Sequence, residues 1–215
     1  MKALLAISAT MVALVVFFSG QQSLAQTPPR VSSGYLSTTN ADGDRRWGGR
    51  HAGADFRVRH GTPVIAAAPG EVLHRIIMSP KCGDGVVIFH ERFPGELFTI
   101  YCHLSRFAVG DNVPVERGEI IGYVGSSGNA QAPELHFELS DEGGPHDSGN
   151  TLGTRDPLKY MAKSKKGCFV PGEAYADNEL TLPLVCRGVK QAGKEKKKKA
   201  DGDVRRDLND NDRGP

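Results

Sequence analysis

Glu134-Leu135-His136-Phe137-Glu138-Leu139 alternates polar and apolar residues without a break. Successive side chains of an extended strand point to opposite faces, so Leu135, Phe137 and Leu139 are expected on one face and Glu134, His136 and Glu138 on the other. One face packs and the other presents ionisable groups. Pro133 precedes the run, and Asp141 to Gly144 supply turn residues behind it. Outward from this segment, similar short runs recur: Val64 to Ala68 ahead of Pro69-Gly70, Glu71 to Ile77, Val86 to His90, Leu97 to His103, and Glu119 to Val124. Beyond the N-terminal leader no stretch holds a helical period for two turns. The 26 glycines favour tight turns between short strands, so the predicted fold class is mainly β.

Of the 215 residues, 39% are hydrophobic and 24% charged, which excludes a wholly disordered chain and a multi-span membrane protein. Met1-Lys2, an apolar run from Ala3 to Phe18 and the small-residue exit Ser23-Leu24-Ala25 read as a secretory signal over residues 1–25. A membrane anchor is the alternative reading of that run. The protein is therefore expected to be exported, periplasmic or secreted. In an oxidising compartment the four cysteines read as disulfide partners rather than free buried thiols. Of the three possible connectivities, Cys82 with Cys102 and Cys168 with Cys186 close the short local loops.

The expected organisation continues with an approach loop over 26–49, a β domain over 50–163, a disulfide-tied appendage over 164–188 and a disordered charged tail over 189–215. A net charge of +2 gives no reason to expect a nucleic-acid partner. The lysine-rich stretch from Lys190 to Lys199 is read as a solvated extension, or as a contact for anionic wall polymer or a membrane surface.

Three elements carry chemistry. In His51-Ala52-Gly53-Ala54-Asp55 an extended chain places His51 and Asp55 on one side, with small residues between them. Together with His136 they make two imidazoles and a carboxylate, which would leave one position of a tetrahedral Zn²⁺ open, as in a catalytic site. Ligation by His, His and Asp without thiolates suits zinc. His103, in Tyr101-Cys102-His103-Leu104-Ser105, sits at a strand end and can exchange a proton near neutral pH. Each element alone also has a plain alternative: a salt bridge or capped turn for His51 and Asp55, a structural hydrogen bond for His103, and a solvated face for Glu134, His136 and Glu138.

Taken in order, Arg50-His51-Ala52-Gly53-Ala54-Asp55-Phe56, Tyr101-Cys102-His103-Leu104-Ser105, Gly110-Asp111-Asn112-Val113 and Leu135-His136-Phe137-Glu138 resemble the motifs of the lysostaphin/LytM-type zinc metallopeptidases. The resemblance runs from about Arg50 to Tyr160 and implies the antiparallel β core of that family, the duplicated hybrid motif type, with a groove. It implies Zn²⁺ on His51, Asp55 and His136, His103 assisting the attacking water or the oxyanion, and hydrolysis of peptide bonds in peptidoglycan stems or cross-bridges. Where the family reads His-x-His, the first position here is Glu134. That carboxylate could serve as a base for the attacking water. It also leaves open a non-catalytic module that binds peptidoglycan or activates an amidase.

Overall fold

The computed structural model describes residues 27–39, 49–145 and 151–188. The expected leader (1–25) and charged tail (189–215) lie outside the described residues. Ten strands follow in chain order: β1 (Gly53–Arg57), β2 (Pro63–Ile65), β3 (Gly70–Ser79), β4 (Gly83–His90), β5 (Leu97–Cys102), β6 (Leu104–Phe107), β7 (Val113–Val115), β8 (Ile120–Val124), β9 (Glu134–Ser140) and β10 (Thr154–Arg155). Two short 3-10 turns, Pro157–Tyr160 and Ser164–Gly167, come after them. Among the described residues no helix is long and apolar enough to cross a membrane.

The strands form two antiparallel sheets. The larger runs β1-β9-β5-β4-β3-β7, with β10 continuing the β1 side of β9; the smaller runs β2-β8-β6. The alternation in β9 works as expected on the core side, where Leu135, Phe137 and Leu139 are fully buried with Phe56, Val86, Ile88 and Tyr101. Val64, Leu104, Ile121 and Val124 of the smaller sheet close the same cluster. Burial of each large aliphatic or aromatic side chain contributes roughly 1.5–3 kcal/mol, so this layer holds the two sheets together. On the other face of the larger sheet, Val87, Ile100, Cys82 and Cys102 make a second, smaller cluster.

Both disulfides have the expected pairing, Cys82 with Cys102 and Cys168 with Cys186. The second does more than tie down an appendage. Cys168 and Cys186 are buried in the main core with Leu180, Leu182 and Leu184. The segment also hydrogen-bonds to the chain around β2, with Ile65 N donating to Pro183 O at 2.9 Å and Thr181 N donating to Ala67 O at 2.8 Å.

Close backbone contacts set the loops that matter for the site. A Cβ at Gly53 would strike the Phe137 carbonyl, so only glycine lets β1 approach β9 this closely. Gly83 and Gly128 meet backbone to backbone, both at positive φ, and this contact seats the turn after β8 on the turn before β4.

Candidate metal centre

Strand register brings the site together. On β9, His136 lies opposite Asp55 of β1 and Cys102 of β5, Glu138 lies opposite Gly53 and Ile100, and Glu134 lies opposite Arg57. Directly opposed residues in an antiparallel pair share a face, so the three polar residues of β9 and Asp55 point to the same side. His51 sits just before β1. The result is a triangle of ligand-type atoms: His51 Nε2 to Asp55 Oδ1 is 3.0 Å, His51 Nε2 to His136 Nδ1 is 2.9 Å, and His136 Nδ1 to Asp55 Oδ1 is 2.7 Å.

The outward atoms of both rings fix their tautomers. His51 Nδ1 is 2.9 Å from the Gly34 carbonyl, which only accepts, so the hydrogen belongs on Nδ1 and the lone pair of the neutral ring is on Nε2. His136 Nε2 donates to Glu138 Oε1 at 2.8 Å, which leaves the Nδ1 lone pair facing the centre. Two nitrogen lone pairs and a carboxylate oxygen thus converge on one point. All three residues are largely buried, with side chains 2%, 13% and 5% exposed for His51, His136 and Asp55, so water does little to screen them.

Such a set of acceptors needs a cation. Where only protons are available, one settles here: burial works against a charged His136, but the hydrogen bonds and charges of Asp55 and Glu138 outweigh it and raise its pKa to about 10. Burial likewise opposes ionisation of Asp55, yet the hydrogen bond from protonated His136, with the His51 ring beside it, holds its carboxyl well below the usual range. A divalent metal fits the same place. Ligands of a tetrahedral zinc at about 2.0–2.2 Å stand about 3.3 Å apart, so the triangle needs to open by only a few tenths of an ångström. Among the described residues this trio is the group arranged to hold a metal ion.

His103 lies immediately beyond β5 with φ 64, a left-handed conformation uncommon outside glycine. Backbone bonds hold it there: its N donates to Cys82 O at 2.9 Å, and Gly125 N donates to its O at 2.8 Å. Its Nδ1 donates to Ser127 O at 2.8 Å, and the ring centroid lies 6.0 Å from that of His136. Burial, then the charge of His136, pushes its pKa down to about 4, so the ring is neutral at pH 7 with its lone pair on Nε2. Ser127 is itself fixed, its Oγ accepting from Asp84 N at 2.9 Å and donating to Leu104 O at 2.8 Å. Glu134 is half-buried at the start of β9, one alternation before His136.

The five residues expected from the sequence therefore stand on adjoining strands and loops, with His51, Asp55 and His136 in mutual contact and His103 beside them. Three participants were not singled out as site residues. Glu138 could have been, because strand parity already put it on the face of His136, and it is 2% exposed rather than solvated. Gly34 and Ser127 act through main-chain carbonyls, which leave no side-chain signal.

Residues 49–148 match Peptidase family M23. The chain is 32% identical over 127 residues to the DD-carboxypeptidase/endopeptidase Mpg of Neisseria meningitidis, covering 59% of this chain and 28% of that protein. It is 32% identical over 123 residues to the peptidoglycan DD-endopeptidase ShyA of Vibrio cholerae, covering 54% and 28% respectively. A solved catalytic domain of the prophage-encoded M23 protein EnpA from Enterococcus faecalis is 30% identical, with 63% of this chain and 93% of that one covered and a TM-score of 0.49. The chain spans under a third of the length of these two curated relatives. Residues 49–148 of this chain belong to peptidase family M23, a family of metallopeptidases.

Proposed function

We propose that the chain is an exported, zinc-dependent endopeptidase that hydrolyses peptide bonds in peptidoglycan stems or cross-bridges. The observation that carries this reading is the convergence of two oriented imidazole lone pairs and a carboxylate on one buried point, with a neutral histidine alongside. His51 Nε2, Asp55 Oδ1 and His136 Nδ1 are the ligands in this reading. Zinc, when bound, supplies Lewis-acid polarisation of the scissile carbonyl and lowers the pKa of the attacking water. The endopeptidase names of ShyA and Mpg support the substrate class. Residues 50–163 form the peptidase unit in this assignment, with 1–25 a cleaved leader and the basic tail available to anionic wall polymer or a membrane surface.

His103 is the base in this scheme. With Nδ1–H committed to Ser127 O, its free Nε2 accepts a proton from the attacking water and can return it, once charged, to the leaving amine. Glu134 accepts hydrogen bonds and, as a carboxylate, donates none, so it orients water or holds a proton but cannot serve as an oxyanion donor. Losing one such donor typically costs ~10²- to 10³-fold in rate, so a slow enzyme is expected.

The decisive test is release of soluble fragments from purified peptidoglycan by the oxidised, zinc-loaded protein, with His51→Ala as control. Release that vanishes in the control and with a chelator supports the endopeptidase. If Glu134 shares the role of base with His103, Glu134→Gln abolishes release while zinc stays bound; full activity in that variant removes Glu134 from the chemistry. The presence of Glu134 at this position favours one other reading, a non-catalytic module that binds peptidoglycan or activates an amidase. Bound zinc with no fragment release would select it.

A further inference from the structure

The stretch Ser32–Ser37 precedes the family-matched residues 49–148, yet it grips two of the three ligand residues by their main chains. Ser32 N and Oγ both donate to Asp55 O, at 2.8 and 3.0 Å, and Asp55 N donates to Ser33 O at 2.8 Å. Leu36 N donates to His51 O at 2.8 Å, and His51 N donates to Ser37 O at 3.0 Å. Between these rungs the Gly34 carbonyl takes the hydrogen of His51 Nδ1 at 2.9 Å. The strap thus runs as an irregular added strand along the outer edge of β1, with Ser33 and Asp55 forming its one regular antiparallel bridge. Its middle is anchored once more: Tyr35 Oη donates to Thr154 O at 3.0 Å and lies 3.1 Å from Thr154 Oγ1. Thr154 belongs to β10, which pairs with the same β9 that carries His136.

We propose that Ser32–Ser37 is an integral part of the metal centre, in which the Gly34 carbonyl selects the metal-binding tautomer of His51 and Tyr35 is the positioning residue that holds that carbonyl in place. The proposal rests on the metal-centre reading above. Without the Gly34 acceptor a neutral imidazole has both tautomers open, and the Nε2–H form aims a hydrogen at the point where the cation must sit. Outer partners of this kind typically change metal affinity 10- to 100-fold when removed. The Tyr35 hydroxyl bonds to Thr154, which is not a ligand residue, so its effect has to pass through the strap.

The experiment compares the full chain with Tyr35→Phe and Leu36→Pro, reading zinc affinity by competition with a chromophoric chelator and the His51 tautomer by ¹⁵N NMR of the zinc-free protein. Tyr35→Phe removes one oxygen and keeps the main-chain rungs, whereas Leu36→Pro removes the donor to His51 O and cannot adopt the φ of 61 found there. Zinc binding about 10-fold or more weaker in Tyr35→Phe, with His51 passing from a single Nδ1–H form to a mixture, supports the proposal, and Leu36→Pro is expected to lose at least as much. A lower melting temperature in Tyr35→Phe with unchanged zinc affinity and unchanged tautomer overturns it, because the strap would then be scaffolding only. If the wild-type chain binds no zinc, the metal-centre reading and this proposal fall together. If it binds zinc but releases no wall fragments, the endopeptidase reading alone falls.

Discussion

Glu138→Ala tests the electrostatic argument for the centre most directly. Glu138 is 2% exposed and its Oε1 takes the hydrogen of His136 Nε2 at 2.8 Å, so truncation leaves a buried donor without that acceptor and removes the group that fixes which nitrogen faces the metal. Loss of an outer-shell partner lowers metal affinity by about 10- to 100-fold, or about 1.4–2.7 kcal/mol. Alanine is expected near the upper end, because the acceptor and the negative charge both go. Glu138→Gln keeps an amide oxygen that can accept from Nε2, so the tautomer survives and the loss is expected to stay within about 10-fold. The assay is a zinc competition titration near neutral pH on oxidised protein, with circular dichroism confirming the β fold of each variant. Folded Glu138→Ala that binds zinc as tightly as wild type would refute the reasoning, since the His136 ring would then be oriented by something other than this carboxylate.

Removing the bridge between Cys82 and Cys102 with a double serine substitution is expected to lower stability by roughly 2–5 kcal/mol and to slow fragment release while zinc affinity holds. The bridge braces the turn whose Cys82 carbonyl receives the His103 amide, and neither sulfur is a ligand atom, so an equal loss of zinc affinity in titration would contradict this placement. His90 gives the pH dependence: burial pushes its pKa from 6.5 down to about 4 in the fold. At this residue the unfolded chain therefore binds an extra proton in that window, and the His90 contribution to stability falls as pH drops from 6.5 towards 4, by at most about 1.4 kcal/mol per pH unit. Urea unfolding of zinc-free wild type and His90→Asn across this range should show a shallower slope in the variant; equal slopes would remove His90 as the source.

Much of the fold was legible because burial and strand period act on side chains. The runs Glu71 to Ile77, Val86 to His90, Leu97 to His103, Glu119 to Val124 and Glu134 to Leu139 correspond to β3, β4, β5, β8 and β9. β1 escaped for a physical reason. Ala54-Asp55-Phe56-Arg57 does alternate apolar and polar residues, but the strand has five residues, opens on the small Gly53 and Ala54, and has four of the five buried, so its period is a faint one. β6, β7 and β10 have four, three and two residues, too few for a period to register. The segment from Cys168 to Cys186 looked weakly patterned because it covers the core through backbone rungs and isolated leucines rather than through a regular strand.

The same division runs through the candidate site. His51, Asp55, His136, His103 and Glu134 stood out because their chemistry resides in the side chain. Their supports mostly do not: Gly34 and Ser127 contribute carbonyl oxygens that any residue could supply, and the bonds that hold His51 and Asp55 come from the main chain of Ser32 to Ser37. What makes these positions specific is that a carbonyl accepts and never donates, so placing one behind Nδ1 of His51 and another behind Nδ1 of His103 forces each neutral ring to turn its Nε2 lone pair inward. For His51 that lone pair meets Asp55 and His136, two further acceptors, and the point between them demands a cation. The ring of His103, by contrast, keeps its lone pair free of that triangle, which is what a proton acceptor beside a metal requires. In the proposed scheme, one kind of backbone contact, applied to two histidines at different distances from the centre, thus separates a ligand from a base.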